Sequence, residues 1–130
     1  MNHTVLIIED EADIRSLYGE VLHDAGYNVE EAADGSSGLQ KALSVAWDVL
    51  LLDIILPGSD GVNVLRKIKS SDTLKDKPVL LLTNLGVDHV INECFELGAA
   101  GYLIKSEITP DKIVEEVNSY FAPKPEEPQE

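Results

Sequence analysis

The chain has 130 residues, enough for one compact domain with little left over for a second. Apolar residues make up 44% and charged residues 26%, which excludes a wholly disordered chain, and no apolar run nears the ~20 residues of a membrane span. The formal net charge of -14, from 24 acidic and 10 basic residues, repels nucleic-acid phosphates and anionic lipid heads, so neither is expected as a partner. That charge suits a basic protein surface or a divalent cation, and it also serves solubility. Cys94 is the single cysteine, so no intrachain disulfide can form. The start, Met1-Asn2-His3-Thr4, lacks the charged region of a secretory signal, which makes its match to a glycosylation acceptor a chance one. These features point to a cytoplasmic protein.

The elements alternate along the chain. Val5–Ile8 is a short apolar run with polar flanks, the mark of a strand buried on both faces. Ile14, Leu17, Tyr18, Val21, Leu22 and Ala25 then follow helical spacing, with Gly26 placed to end the helix. Tyr27–Ala33 is less apolar and reads as a strand nearer an edge, and Ser37–Ser44 as a weaker helix. Val49–Leu52 is a second buried run. Asp60 is a candidate N-cap for a helix carrying Val64, Leu65 and Ile68. Val79–Leu82 follows, then a helix with Val87, Val90, Ile91, Cys94 and Phe95 on its apolar stripe before Gly98. Tyr102–Ile104 is the last strand. Thr109-Pro110 opens the last helix, whose apolar face holds Ile113, Val114, Val117 and Phe121. Residues 123–130 hold three of the six prolines and no large apolar residue, so a mobile acidic tail is expected there, after a folded domain over 1–122. Strictly alternating strands and helices predict a doubly wound α/β domain: five parallel strands, right-handed crossovers, helices on both faces.

Reactive residue types fall at one place on this pattern. Glu9 and Asp10 follow the first strand and Asp53 follows the third. Thr83 closes the fourth, and Lys105 follows the fifth. All lie at the carboxyl ends of strands, where open α/β sheets bind ligands. Three carboxylates on one rim repel one another, and a divalent cation relieves that repulsion. A few hard oxygen ligands with room for water suit Mg²⁺ better than a caging Ca²⁺ site. Asp53, already ionised at neutral pH, is then a nucleophile able to form an aspartyl-phosphate. The metal and Lys105 would neutralise the transferring group, and the Thr83 hydroxyl would hold one of its oxygens.

The stretches Val5-Leu6-Ile7-Ile8-Glu9-Asp10-Glu11, Asp53-Ile54-Ile55-Leu56-Pro57-Gly58-Ser59-Asp60-Gly61, Leu82-Thr83 and Gly98-Ala99-Ala100-Gly101-Tyr102-Leu103-Ile104-Lys105 carry a resemblance. In this order and spacing, the chain resembles the receiver domain of two-component response regulators over roughly residues 4–121. The resemblance implies a flavodoxin-like sheet of strand order 2-1-3-4-5 and a switch that is phosphorylated rather than an enzyme with turnover. It implies Glu9 and Asp10 as the acidic pair around Mg²⁺, completed by Asp53 and the main-chain carbonyl of Ile55. Asp53 becomes the phosphoacceptor, Lys105 the phosphate-binding lysine, Thr83 the switch hydroxyl and Tyr102 the switch aromatic. The implied donor is a phosphohistidine on a sensor kinase or phosphotransfer protein. The implied output is a changed surface of helix 4, strand 5 and helix 5, read by a downstream protein or a second copy.

Three positions depart from the family pattern. Ser106 follows Lys105 where a cis proline is usual, and a cis bond before a non-proline residue costs about 3–4 kcal/mol. Asn84 follows Thr83 where a small residue is common, and apolar Ile55 cannot orient a hydrolytic water. Rival readings are weaker. A phosphatase with an aspartate nucleophile generally carries a second aspartate two residues on, where this chain has Ile55. A non-phosphorylated pseudo-receiver typically loses the acceptor or the acidic pair, and this chain has both. No glycine-rich nucleotide loop is present. His89 and Glu93 lack a further ligand, Cys94 reads as an inert core residue, and Trp47 is expected to cover an end of the core.

Overall fold

The computed structural model describes residues 3–56, 59–84 and 88–121. Five strands form one parallel sheet: β1 (Thr4–Ile8), β2 (Asn28–Ala32), β3 (Val49–Asp53), β4 (Val79–Thr83) and β5 (Gly101–Ile104). Their spatial order is 2-1-3-4-5, as expected, once a separate two-stranded antiparallel ribbon (Ile55–Leu56 with Ser59–Asp60) is left out of the count. That ribbon was not expected; its strands are two residues each, too short for any periodicity. Five helices complete the fold: α1 (Ala12–Asp24), α2 (Gly35–Ser44), α3 (Gly61–Lys69), α4 (Asp88–Leu97) and α5 (Pro110–Asn118).

The continuous apolar runs have a simple cause. Successive side chains of a strand point to opposite faces, and both faces are covered. Leu6, Ile8, Leu50, Leu52, Val79 and Leu81 face one core, which Val64, Leu65, Ile68 and Cys94 close from α3 and α4. Val5, Ile7, Val49, Leu51, Leu80 and Leu82 face the other, closed by Tyr18 and Leu22 of α1 and Ile113 and Val117 of α5. Full burial of each such side chain stabilises by about 1.5–3 kcal/mol, which fixes the register and so aligns the strand ends. β2 lies at an edge and is only partly buried, as its weaker apolar character suggested.

Local signals set most boundaries. Gly26 and Gly98 take left-handed φ values of 102° and 110° and end α1 and α4. The Asp60 carboxylate accepts from the Val62 N–H at 2.9 Å, and Thr109 caps α5 ahead of Pro110. α2 starts two residues before the expected Ser37, because Asp34 accepts from both the N–H and the hydroxyl of Ser37. Three residues of the expected apolar stripes are exposed instead: Leu17 and Phe95 sit at the margin of their helices' buried arcs, and Ala25 caps the end of α1, while Val87 lies outside the described residues. Trp47 lies wholly within the core, its indole N–H donating to the Ala42 carbonyl at 3.0 Å. Cys94 is fully buried, as expected. Among the described residues no helix is long and apolar enough to cross a membrane. The expected tail at 123–130 lies outside the described residues.

Candidate phosphoacceptor site

Because every sheet strand runs the same way, the carboxyl ends of β1, β3, β4 and β5 share one rim. Glu9 is the first residue past β1, Asp53 ends β3, and Lys105 opens a short 3₁₀ turn (Lys105–Glu107) straight after β5. The Lys105 ammonium lies 2.8 Å from Asp53 Oδ2 and 2.7 Å from Glu9 Oε1, with Glu11 Oε1 at 3.6 Å. All three principal side chains are sealed: Glu9 at 0%, Asp53 at 5% and Lys105 at 6% exposure. The Lys105–Ser106 bond is trans, and the lysine reaches Asp53 without a proline after it.

The remaining carboxylate oxygens are held by backbone. Asp53 Oδ1 accepts from the Ile55 N–H at 3.0 Å, and Glu9 Oε2 from the Glu11 N–H at 3.0 Å. Glu9 Oε1 differs. It is buried and, among the described residues, has no donor in hydrogen-bonding geometry, although the ammonium is close. One ligand atom each from Glu9, Asp10 and Asp53 fall within 4.8 Å of one another, with Asp10 on the exposed side. Three carboxylates thus face one ammonium, and the Asp10 carboxylate adds a fourth negative charge beside Glu9 and Asp53. Burial raises the Glu9 carboxyl to about 7 despite the opposing pull of Lys105, and burial also raises Asp53. Burial alone would lower Lys105, but its hydrogen bond to Asp53 and the close Glu9 carboxylate outweigh that and hold it firmly charged. Excess negative charge, an under-satisfied buried oxygen and an open flank at Asp10 fit a small, hard, partly hydrated divalent cation such as Mg²⁺.

The expected site residues divide into two groups. Glu9, Asp10, Asp53 and Lys105 come together. Thr83 is buried one register step beyond the Asp53–Leu82 pair, but its hydroxyl donates to the Asn84 carbonyl at 3.0 Å rather than to a site carboxylate. Tyr102 is exposed, its ring edge-on to Phe95 with centroids 6.1 Å apart. The Ile55 side chain is exposed, and its N–H is what touches Asp53. Two contributors escaped the sequence reading. Glu11 adds a carboxylate beside Lys105. Gly61 lets the start of α3 press on the end of β3: a Cβ there would collide with the Asp53 carbonyl and stand 2.5 Å from Ile54 Cα. A glycine just after a helix cap is the only sequence signal for that contact.

Comparison with known proteins identifies the family. The model of the response regulator receiver domain matches residues 5–118. The chain belongs to this family. It is 34% identical over 110 residues to the transcriptional regulatory protein ResD of Bacillus subtilis, covering 85% of this chain but 44% of that protein. Sporulation initiation phosphotransferase F of the same organism is 34% identical over 121 residues, covering 93% of this chain and 95% of that one. Among solved structures, the chemotaxis response regulator CheY4 of Vibrio cholerae superposes with a TM-score of 0.86 at 30% identity, covering 92% of this chain and 99% of that one. The chain therefore spans under half of some curated relatives and nearly the whole of others. As a receiver domain it is a phosphoacceptor signalling module.

Proposed function

We propose that this receiver takes a phosphoryl group onto Asp53 from a phosphohistidine of a sensor kinase or phosphotransfer protein, in the presence of Mg²⁺. The observation that carries the reading is the sealed Asp53–Lys105–Glu9 contact at the ends of three strands. A carboxylate oxygen of Asp53 attacks phosphorus, a P–O bond forms, and the P–N bond to the donor imidazole breaks. The freed nitrogen is left for solvent to protonate. Asp53 needs no general base when ionised, and Lys105 moves with the charge from the carboxylate towards the arriving phosphoryl oxygens. When bound, the cation would be held by Glu9, Asp10, Asp53 and the Ile55 carbonyl, and it supplies neutralisation of developing charge.

Phosphorylation adds about -1.5 to -2 charge at the rim. In our reading the Thr83 hydroxyl then exchanges the Asn84 carbonyl for a phosphoryl oxygen, and Tyr102 leaves Phe95 to turn inward. The face built from α4, β5 and α5 changes as a result and is read by a downstream protein or a second copy. The folded unit is taken as 1–122, working in the cytoplasm. The test is intact-mass analysis after incubation with acetyl phosphate. One added phosphoryl group is expected with Mg²⁺ and none in EDTA or in Asp53→Asn, and labelling that survives Asp53→Asn refutes the assignment.

A further inference from the structure

Arg15 lies one turn into α1, outside the cluster that binds the acceptor, yet its side chain is turned back towards it. Its Nη1 donates to the main-chain carbonyl of Glu9 at 2.7 Å, and its Nε lies 3.3 Å from Glu31 Oε1 on β2. The guanidinium is largely buried, at 19% exposure. A third residue makes room for the pairing. At Gly19, one turn further along α1, a Cβ would stand 2.6 Å from Glu31 Oε2, so glycine leaves the Glu31 carboxylate the space it occupies beside Arg15. The Glu9 N–H is in turn tied to the Ala32 carbonyl, next to Glu31 on the same strand. The peptide between Glu9 and Asp10 is therefore fixed by Arg15 from its carbonyl side, and Arg15 is fixed by Glu31.

From this arrangement we infer that Arg15 is a positioning residue for the divalent cation: braced by Glu31, it holds the Glu9–Asp10 peptide so that both carboxylates converge with Asp53. This rests on the metal-dependent reading above. Arg15 offers no ligand itself, and its charge has the wrong sign to attract a cation. That gives the idea a decisive sign. As a mere nearby charge, Arg15 repels Mn²⁺ or Mg²⁺, and removing it tightens binding. As a brace, its removal loosens the loop and weakens binding, by about tenfold, as is usual for groups that orient metal ligands. Gly19→Ala is the companion variant. It changes no charge and favours the helix, yet its methyl displaces Glu31.

The experiment titrates the whole chain with MnCl₂ by water-proton relaxation, for the wild type, Arg15→Gln and Gly19→Ala. Glu9 carbonyl ¹³C shifts are recorded in parallel without metal. Weaker Mn²⁺ binding in both variants is expected, larger for Arg15→Gln, with the Glu9 carbonyl resonance moved upfield in Arg15→Gln while amide dispersion elsewhere is kept. Binding as tight as wild type, or tighter, in either variant overturns the inference and leaves the metal-dependent reading intact. A wild type that binds no Mn²⁺ removes both.

Discussion

The rim around Asp53 and the face around Tyr102 belong to one sheet, with Lys105 following the strand that carries Tyr102, but are built on opposite terms. At the rim, Glu9, Asp53 and Lys105 are sealed, and each is held by at least one charged or backbone contact within 3 Å. At the face, Tyr102 and Phe95 are both exposed and meet edge-on, while the Thr83 hydroxyl is satisfied by its own chain. Chemistry needs preorganisation, so its groups are locked before the reactant arrives. Signalling needs two accessible arrangements, so its groups are held by contacts worth little. Under the proposed function, the difference assigns stability and switching to different layers of the same strand ends.

Removing Lys105 should show this most strongly. Lys105→Met leaves Glu9 and Asp53 buried without their cation, and breaking such a buried set costs about 3–5 kcal/mol. Urea unfolding of the metal-free protein at pH 7.5 measures it; an unchanged midpoint would mean the rim is not locked by charge. Acidity sharpens the same point. The Glu9 carboxyl is raised to about 7 in the fold from an ordinary 4.5, so between those values the folded state binds more protons than the unfolded one. Stability from this group is then present at low pH and is lost as pH rises through about 7. Metal-free melting temperature should fall from pH 5 to pH 8 and recover with Mg²⁺. Glu9→Gln should flatten that slope.

Gly61→Ala probes the rim from below. Its methyl meets backbone, which cannot swing aside as a side chain can, so a loss of about 1–3 kcal/mol and slower labelling by acetyl phosphate are expected. Phe95→Ala is the mildest change. An edge-on aromatic contact at the surface contributes about 0.5–1.5 kcal/mol at most, and labelling of Asp53 should proceed at the wild-type rate. A Phe95→Ala protein that labels at a clearly different rate would show that the two regions are already coupled in the resting state.

The sheet was legible because burial on both faces writes itself as uninterrupted runs such as Val49–Leu52, and strand ends then follow from counting. Glu9, Asp53 and Lys105 were legible for the same reason, since each follows a run directly. Leu17 and Phe95 were misplaced because an apolar residue at a stripe's margin has the same spacing whether the neighbouring element covers it or not. The resting bond of Thr83 to Asn84 was hidden, since a hydroxyl rotor chooses its partner from what surrounds it in space. Glu31 reaches Arg15 from sixteen residues away in sequence, across a strand pairing, and no local pattern announces such a contact.

Cys94 adds a practical consequence. Its thiol is wholly enclosed beneath α4, and burial pushes it up to about 11, so neither access nor ionisation favours reaction with an alkylating reagent. Any labelling at neutral pH must pass through a state in which α4 has lifted from the sheet. The chain thus carries its own clock for that motion: the alkylation rate of one native thiol counts openings of the helix, with no probe added and no residue replaced.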